Sequence, residues 1–251
     1  MPDTLNVLPE PPAIPERNFQ DRDIRQRDLV PPDRLAACHV LVIGVGAVGR
    51  QVALQLAALG VQKMTLVDDD VVAVENLAPQ GYWPEDLGQL KVAATGALCH
   101  RIQPDLALGI AATTFRRSLI PSGTTNRQVV MMCVDSIRSR RWIWEAVRPR
   151  AACVIDGRMS AEVLRVLTST QPSIDDVYPA TLFADDEAFG GSCTAKSTIY
   201  TASLAAALMV GQMTKWLRRL PVEPDLTLNL LAMELTVASA MAKSDHVAAA
   251  G

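Results

Sequence analysis

The feature that most constrains this chain is a glycine-rich turn between an apolar run and a segment of helical periodicity. The turn, Gly44-Val-Gly46-Ala-Val-Gly49, follows the apolar run Val40-Leu-Val-Ile43. After the helical segment, a second apolar run ends at Asp68-Asp-Asp70. Residues 40–70 therefore predict one strand–turn–helix–strand unit, the building block of open α/β sheets.

Each glycine of the turn has its own use in binding a phosphate. Gly44 permits the tight turn, Gly46 lets the backbone approach a phosphate, and Gly49 lets the helix pack closely on the strand. The N–H groups of the first helical turn then point at the anion. Asp68 follows Gly44 by 24 residues, near the spacing at which an acid bonds a ribose hydroxyl. We predict a nucleotide site; the motif leaves open a dinucleotide, ATP, or a tight turn without a ligand.

Composition narrows the class of protein. Its five cysteines include no Cys-x-x-Cys pair, which argues against a zinc knuckle and a disulfide framework. The first residues are proline-rich and acidic, so we expect no secretory signal and a reduced, cytoplasmic protein. A net charge of −3 without a basic tract does not indicate extended nucleic-acid contact. The most apolar helical segment, residues 199–213, is shorter than the ~18 residues of a membrane span.

We divide the chain into a flexible proline-rich arm (1–16), a single domain (17–240) and a C-terminal tail (241–251). The next elements alternate, with strands predicted at 107–112, 129–133 and 152–155 and helices at 87–102 and 137–147. Later segments are predicted as antiparallel strands (162–170 and 226–237), a polar loop (171–192) and a long helix (195–220). The expected fold is α/β: a Rossmann-like, doubly wound, mostly parallel sheet extended by antiparallel strands.

Several further motifs occur in a fixed order along residues 22–237. They are Arg22-Asp-Ile-Arg25-Gln26, Asp68-Asp-Asp70, Glu75-Asn76-Leu-Ala-Pro79-Gln80, Gly88-Gln-Leu-Lys91 and Asp135-Ser136. The chain resembles the ThiF/MoeB-like adenylyltransferases, which activate ubiquitin-like and sulfur-carrier proteins. That family has matching Arg-x-x-Arg-Gln, Asp-x-Asp, Asn-Leu-x-Arg-Gln, Gly-x-x-Lys and Asp-Asn/Ser blocks.

The resemblance implies a set of residues that contact ATP. They are Gly44, Gly46, Ala47, Gly49, Asp68, Asp70, Glu75, Asn76, Lys91, Asp135 and Ser136. Within this set, Asp68 would hold the ribose, while Glu75, Asn76 and Lys91 would reach the phosphates. Asp135 would also face Mg²⁺, the second implied cofactor.

The catalytic residues implied by the resemblance are Arg25, Lys91, Asp135 and Cys193. Arg25 would enter the site from the neighbouring subunit of a homodimer. Cys193, at the predicted start of the long helix with Lys196 one turn further on, would have a lowered thiol pKa. It would take the activated carrier, or else be only a small residue that caps the helix.

The chain departs from the family pattern in two places. Pro79 stands where the family usually has arginine, so one phosphate-facing cation is missing. Either Arg27, Arg116 or Arg117 replaces that arginine, or adenylation is slow or needs a partner. The second departure is the lack of the Cys-x-x-Cys pairs that hold zinc in many relatives, so we predict no structural zinc.

The function implied is ATP-dependent adenylation of the C-terminal carboxylate of a small carrier protein ending in Gly-Gly. Transfer to a cysteine, sulfur transfer and protein conjugation all remain open as later steps. The alternatives are adenylation of a small carboxylate or a modified tRNA, and a non-catalytic scaffold, for which Pro79 is the main argument. A nicotinamide dehydrogenase would leave Lys91 and the block at Asn76 unexplained.

Overall fold

The computed structural model describes residues 22–120, 127–182 and 197–238. The strands are β1 (Cys38–Ile43), β2 (Lys63–Val67), β3 (Ala107–Ala111), β4 (Arg127–Met132), β5 (Cys153–Ser160), β6 (Val163–Ser169), β7 (Asp225–Asn229) and β8 (Glu234–Ala238). The helices are α1 (Pro32–Ala36), α2 (Ala47–Leu59), α3 (Leu77–Gln80), α4 (Lys91–Ile102), α5 (Ile137–Val147), α6 (Val177–Ala180) and α7 (Ile199–Leu217). Short 3₁₀ turns lie at Val74–Asn76, Pro84–Asp86 and Arg117–Leu119.

All eight strands form one sheet in the order β3-β2-β1-β4-β5-β6-β7-β8. Strands β1 to β5 are mutually parallel, and β6, β7 and β8 are added antiparallel. This arrangement confirms the predicted fold class. Strands β2 and β3 lie on one side of β1, and β4 and the later strands lie on its other side. Ligands of open α/β sheets bind at such a switch point, outside the carboxyl ends of the strands.

Strand β1 is apolar along its length because helices cover both faces of the sheet. Val40 and Val42 belong to one core, which includes the buried faces of α2 and α7. Leu41 and Ile43 belong to the other, with Trp144 of α5. Each such side chain contributes about 1.5–3 kcal/mol by leaving water. This double burial fixes the end of β1, and with it the glycine turn.

Three predicted boundaries are wrong at the element ends. The helix predicted from residue 87 begins at Lys91, because Gly88 has a φ of +77° and Leu90 is extended. Strand β5 runs to Ser160 instead of ending at residue 155, so Asp156 lies inside it. The predicted strand 226–237 is two strands, β7 and β8, which pair as a hairpin.

The charged segment before β1 is described from residue 22 onward. Residues 22–30 form successive turns, and Pro32 opens α1. A residue before proline avoids the helical region, whereas proline itself suits the first helical position. No helix within the described ranges is long and apolar enough to cross a membrane.

Candidate active site

The glycine turn places three glycines in three different environments. Gly44 has a φ of +87°, and a Cβ there would lie 2.7 Å from the carbonyl oxygen of Cys133. A Cβ on Gly49 would lie 1.8 Å from the carbonyl oxygen of Gly44, whereas one on Gly46 would have no neighbour within 4 Å. Packing therefore demands Gly44 and Gly49, while Gly46 borders open space. Beside that space α2 begins at Ala47 without a side-chain cap, so its first N–H groups are available to an anion.

Asp68 lies next to this turn, at the carboxyl end of β2. Its carboxylate accepts hydrogen bonds from the backbone N–H of Val45 at 2.6 Å and of Asp70 at 2.9 Å. Burial raises the pKa of Asp68, although these two N–H groups and the charge of Lys91 act in the opposite direction. Each carboxylate oxygen has a second lone pair, so Asp68 can still accept a hydrogen bond from a ligand hydroxyl.

Lys91 is the first residue of α4, and its side chain is only 8% exposed. Its Nζ lies 2.8 Å from Oδ2 of Asp70, whose side chain is 65% exposed. The Lys91 N–H also donates to the Asp70 carbonyl oxygen at 2.9 Å. A cation at a helix N-terminus is unfavourable without an anion nearby, and Asp70 is that anion. Because exposed carboxylates bind lysine only weakly, Lys91 can exchange Asp70 for a phosphate.

Residues 71–90 form the segment that separates Asp70 from Lys91. Its two ends pair with each other, since Val72 N–H donates to the Gln89 carbonyl at 2.8 Å. The segment contains α3 and two 3₁₀ turns. Glu75 is exposed and Asn76 partly buried, with Asn76 Oδ1 accepting the Ala73 N–H at 2.9 Å.

Asp135 and Ser136 follow β4, the strand beside β1, as predicted. Ser136 caps α5, because its Oγ accepts the Ser139 N–H at 3.0 Å. Asp135 is exposed, and its carbonyl oxygen accepts a hydrogen bond from Nη1 of Arg140 at 2.9 Å. Since β1, β2 and β4 are parallel neighbours, the residues after them share one edge of the sheet. The candidate site lies along that edge.

Sequence reasoning missed a buried ionic network behind Asp135. Asp156 of β5 has no exposed surface, and its oxygens accept from Nε of Arg140 at 2.9 Å and Nε of Arg158 at 2.7 Å. The hydroxyl of Tyr178 donates to it at 3.0 Å. Burial alone would raise the pKa of Asp156, but the two guanidiniums hold it below its ordinary value. The only sequence signal was an acid and an arginine directly after an apolar run.

Comparison with known proteins identifies the family. A model of the ThiF family matches residues 20–246. The chain belongs to the ThiF family. This agrees with the resemblance read from the glycine turn and the motifs after it.

Relatives of this ThiF-family chain include enzymes of known name. It is 34% identical over 175 residues to the adenylyltransferase and sulfurtransferase MOCS3 of Sus scrofa, a match covering 63% of this chain and 36% of that protein. It is 30% identical over 122 residues to the sulfur carrier protein ThiS adenylyltransferase of Escherichia coli K12, covering 48% of this chain and 46% of that protein. The match thus spans less than half the length of each of these relatives.

Solved structures show the same fold. The crystal structure of selenomethionine-labelled PaaA has a TM-score of 0.69 at 18% identity, covering 87% of this chain and 68% of that one. The crystal structure of E. coli MccB with ATP has a TM-score of 0.66 at 15% identity, covering 88% and 72%. At these identities the likeness concerns the fold alone.

Arg25 of this ThiF-family chain does not join the site formed by its own subunit. It is exposed, in a segment bound to the C-terminal end of α2. There Arg22 Nη2 donates to the Ala57 carbonyl at 3.1 Å, and Gln26 Nε2 to the Leu59 carbonyl at 2.8 Å. The glycine turn lies at the other end of α2, about 20 Å away for 13 residues.

Two of the three arginines proposed to replace the one missing at Pro79 lie in segments away from α3. Arg27 is exposed in the same segment as Arg25, and Arg117 Nη2 donates to the Glu145 carbonyl on α5 at 3.3 Å. Arg116 is exposed in the connection that follows β3. Neither Arg27 nor Arg117 therefore contacts the segment that carries Pro79.

Cys193 and Lys196 lie outside the described residues, so the role of this thiol stays a prediction. The four described cysteines are free; Cys38, Cys99 and Cys153 are buried and Cys133 is partly buried. Burial raises the pKa of Cys38 to about 11 and that of Cys99 to about 12. Burial also raises the pKa of Cys133 and Cys153. None of these four thiols is prepared to act as a nucleophile at neutral pH.

Proposed function

We propose that this protein uses ATP to adenylate the C-terminal carboxylate of a small ubiquitin-like or sulfur-carrier protein. The observation that carries the proposal is a largely buried cation, Lys91, whose charge acts on Asp68 beside the glycine turn and whose ion pair among the described residues is with the exposed Asp70. A dinucleotide site does not need a lysine there. The names of the relatives, ThiS adenylyltransferase among them, support the same chemistry.

ATP is a co-substrate in this proposal. A carboxylate oxygen of the carrier attacks the α-phosphorus, the bond between the α-phosphorus and the bridging oxygen breaks, and pyrophosphate leaves with the electron pair. Negative charge grows on the phosphate oxygens during this step. Lys91 and the N–H groups at the start of α2 stabilise that charge, and the rigid edge of the sheet positions the reactants.

Mg²⁺ is part of the proposal, with Asp135 as its protein ligand. Magnesium prefers hard oxygen donors, and Asp135 presents an exposed carboxylate after β4. Among the described residues, Asp68, Asp69 and Asp70 form the only group of three potential metal ligands, with their oxygens within 4.8 Å of one another. The carboxylates of this group are also hard oxygen donors of the kind that Mg²⁺ prefers. The lack of a structural zinc stays a prediction.

One observation favours a second candidate function, a partner-dependent or non-catalytic family member. Pro79 occupies α3 without a cation on that helix, and Arg27 and Arg117 lie elsewhere. Loss of one transition-state donor costs about 10²-fold or more in rate. Adenylation that is detectable only with an added partner protein would favour this candidate.

The decisive measurement is exchange of labelled pyrophosphate into ATP. We expect exchange only when a cognate carrier ending in Gly-Gly is added, because its carboxylate is the nucleophile. Lys91→Ala should reduce exchange by about 10² to 10³-fold without unfolding the protein, since it removes charge stabilisation. Lys63→Ala, an exposed lysine at the amino end of β2, is the matched control and should retain activity. Tight NAD binding with no ATP binding would exclude the proposed function.

A further inference from the structure

Arg50 is a buried cation without an acidic partner. It is the fourth residue of α2 and is only 1% exposed. Arginine stays charged in proteins, and a buried charge is costly unless it is paired. Yet within the described ranges no carboxylate forms an ion pair with Arg50. A buried positive charge therefore remains without a counterion.

The contacts of Arg50 join three segments of the candidate site. Its Nη2 donates to the Gly81 carbonyl at 3.0 Å, directly after α3, and its Nη1 to Oγ1 of Thr95 on α4 at 3.2 Å. The guanidinium lies 4.1 Å from the centre of the Tyr82 ring. The Tyr82 hydroxyl in turn donates to the Val45 carbonyl in the glycine turn at 2.8 Å. Arg50 thus sits where the glycine turn, α3 and the helix of Lys91 meet.

One donor of Arg50 lacks a partner among the described residues. It is the buried Nε. Asp86 lines the same small cleft of about 60 Å³, but its Oδ2 accepts the Trp83 N–H at 2.9 Å and forms no ion pair with Arg50. Thr95 lies one helical turn after Lys91, so the two cations flank the first turn of α4.

We infer that Arg50 supplies the positive potential that holds the triphosphate of ATP at this site, an inference that rests on the proposed function. Because Arg50 is buried, it acts through its field and through the three segments it joins, as a positioning residue. A charge in a medium of low dielectric acts over a longer range than one in water. Arg50 thereby stabilises the triphosphate charge from inside the protein, whereas an arginine at position 79 would stabilise it by direct contact.

The test compares ATP and adenosine binding by isothermal titration calorimetry, since adenosine lacks the phosphates. We expect Arg50→Met to weaken Mg-ATP binding by at least about tenfold while adenosine binding is unchanged. Arg50→Lys, which keeps the charge, should retain most of the ATP affinity. Adding Pro79→Arg to Arg50→Met should restore ATP affinity to within about threefold of wild type without restoring the melting temperature. Arg101→Met, at the exposed rim of the same cleft, is the matched control.

Three results would overturn the inference. They are unchanged ATP affinity in Arg50→Met, equal loss of ATP and adenosine, and failure of Pro79→Arg to rescue. If Arg50→Met does not fold, Arg50→Lys decides. Retained ATP affinity supports the inference, and a selective loss of ATP affinity contradicts it. A wild-type protein that binds neither ATP nor adenosine would instead defeat the proposed function itself.

Discussion

Asp156 connects the interior of the sheet to the candidate site through single side chains. Arg140 donates from Nε to the Asp156 carboxylate and from Nη1 to the Asp135 carbonyl, so one guanidinium bridges the two. Arg158 continues the network from Asp156 to the carbonyl oxygen of Thr181 at 2.9 Å. The peptide that carries Asp135 is therefore held by a guanidinium that is itself paired with the buried Asp156.

Asp156→Asn should destabilise the fold by about 3–5 kcal/mol at neutral pH, because it leaves buried guanidiniums without their anion. The pKa of Asp156 is lower in the folded chain than in the unfolded chain, where it is about 3.9. Its contribution is therefore complete above the unfolded pKa and is lost as the pH falls through the folded value. The difference in free energy of unfolding between wild type and Asp156→Asn should shrink below about pH 3.9, measured by denaturant titration at successive pH values.

Asp225→Asn provides the comparison for this prediction. Asp225 also pairs with an arginine in the sheet, Arg165 at 2.6 Å, but both side chains are partly exposed. Its loss should cost about 1 kcal/mol or less. If Asp156→Asn loses equally much stability at every pH, Asp156 stabilises the fold by its packing and hydrogen bonds and not by its charge.

At the scale of elements, different glycines of the turn are needed for folding and for ATP binding. Gly49→Ala should prevent folding or lower stability severely, because the new Cβ would lie 1.8 Å from a backbone oxygen. Gly46→Ala should keep its stability within about 0.5 kcal/mol of wild type, since its Cβ meets nothing within 4 Å. It should nevertheless weaken ATP binding by about tenfold, because the methyl group occupies the space that a phosphate approaches. Thermal melts and ATP titrations on both variants test this, and destabilisation by Gly46→Ala would contradict it.

The elements that the sequence predicted well are those whose signals are local. Helix α5 begins and ends at the predicted residues, 137 and 147, because Ser136 caps it and its apolar period is regular. The β7–β8 hairpin was missed because its connection, residues 230–233, contains neither glycine nor proline. The predicted β5 ended too early, because a charged residue such as Asp156 usually marks the end of a strand unless its charge is paired with buried arginines.

The residues of the candidate site follow the same division between local signals and tertiary packing. Asp135 was placed correctly after β4 because strand ends can be located from apolar runs, whereas the helix that carries Lys91 begins at Lys91 and not at the predicted residue 87. Arg50 and Asp156 were missed because a charged residue is normally solvated. Their burial depends on packing between α2, α3 and α4 or between β5 and α5, which no local pattern records. The sequence therefore indicated the reactive edge and missed its supporting charges.

At the scale of the whole molecule, Arg25 and the glycine turn lie at opposite ends of α2, which bears on the proposed homodimer. Arg25 is proposed to act in the site of a partner, and its own glycine turn is about one helix length away. A twofold-symmetric dimer would pair each Arg25 with the other site. The dimer is a proposal that this distance supports.

Complementation tests the dimer. Arg25→Ala and Lys91→Ala chains should each be inactive, and an equal mixture exchanged through refolding should recover roughly a quarter of wild-type exchange, since half of the dimers hold one intact site. Light scattering after size exclusion gives the oligomeric state. A monomer at working concentration, or no recovery on mixing, would show that Arg25 does not act across subunits.

The segment between Asp70 and Lys91 has a consequence for how this protein can diverge. It starts after β2 and ends at the start of α4, and its two ends meet where the Lys91 N–H donates to the Asp70 carbonyl at 2.9 Å. Between these joined ends, an exposed residue such as Glu75 can change at little cost, whereas Gly81 and Tyr82 are bound to Arg50 and to the glycine turn. Pro79 lies on α3 within this segment, outside the paired registers of β1, β2 and β4. The residue at this position can therefore vary while the sheet keeps its register.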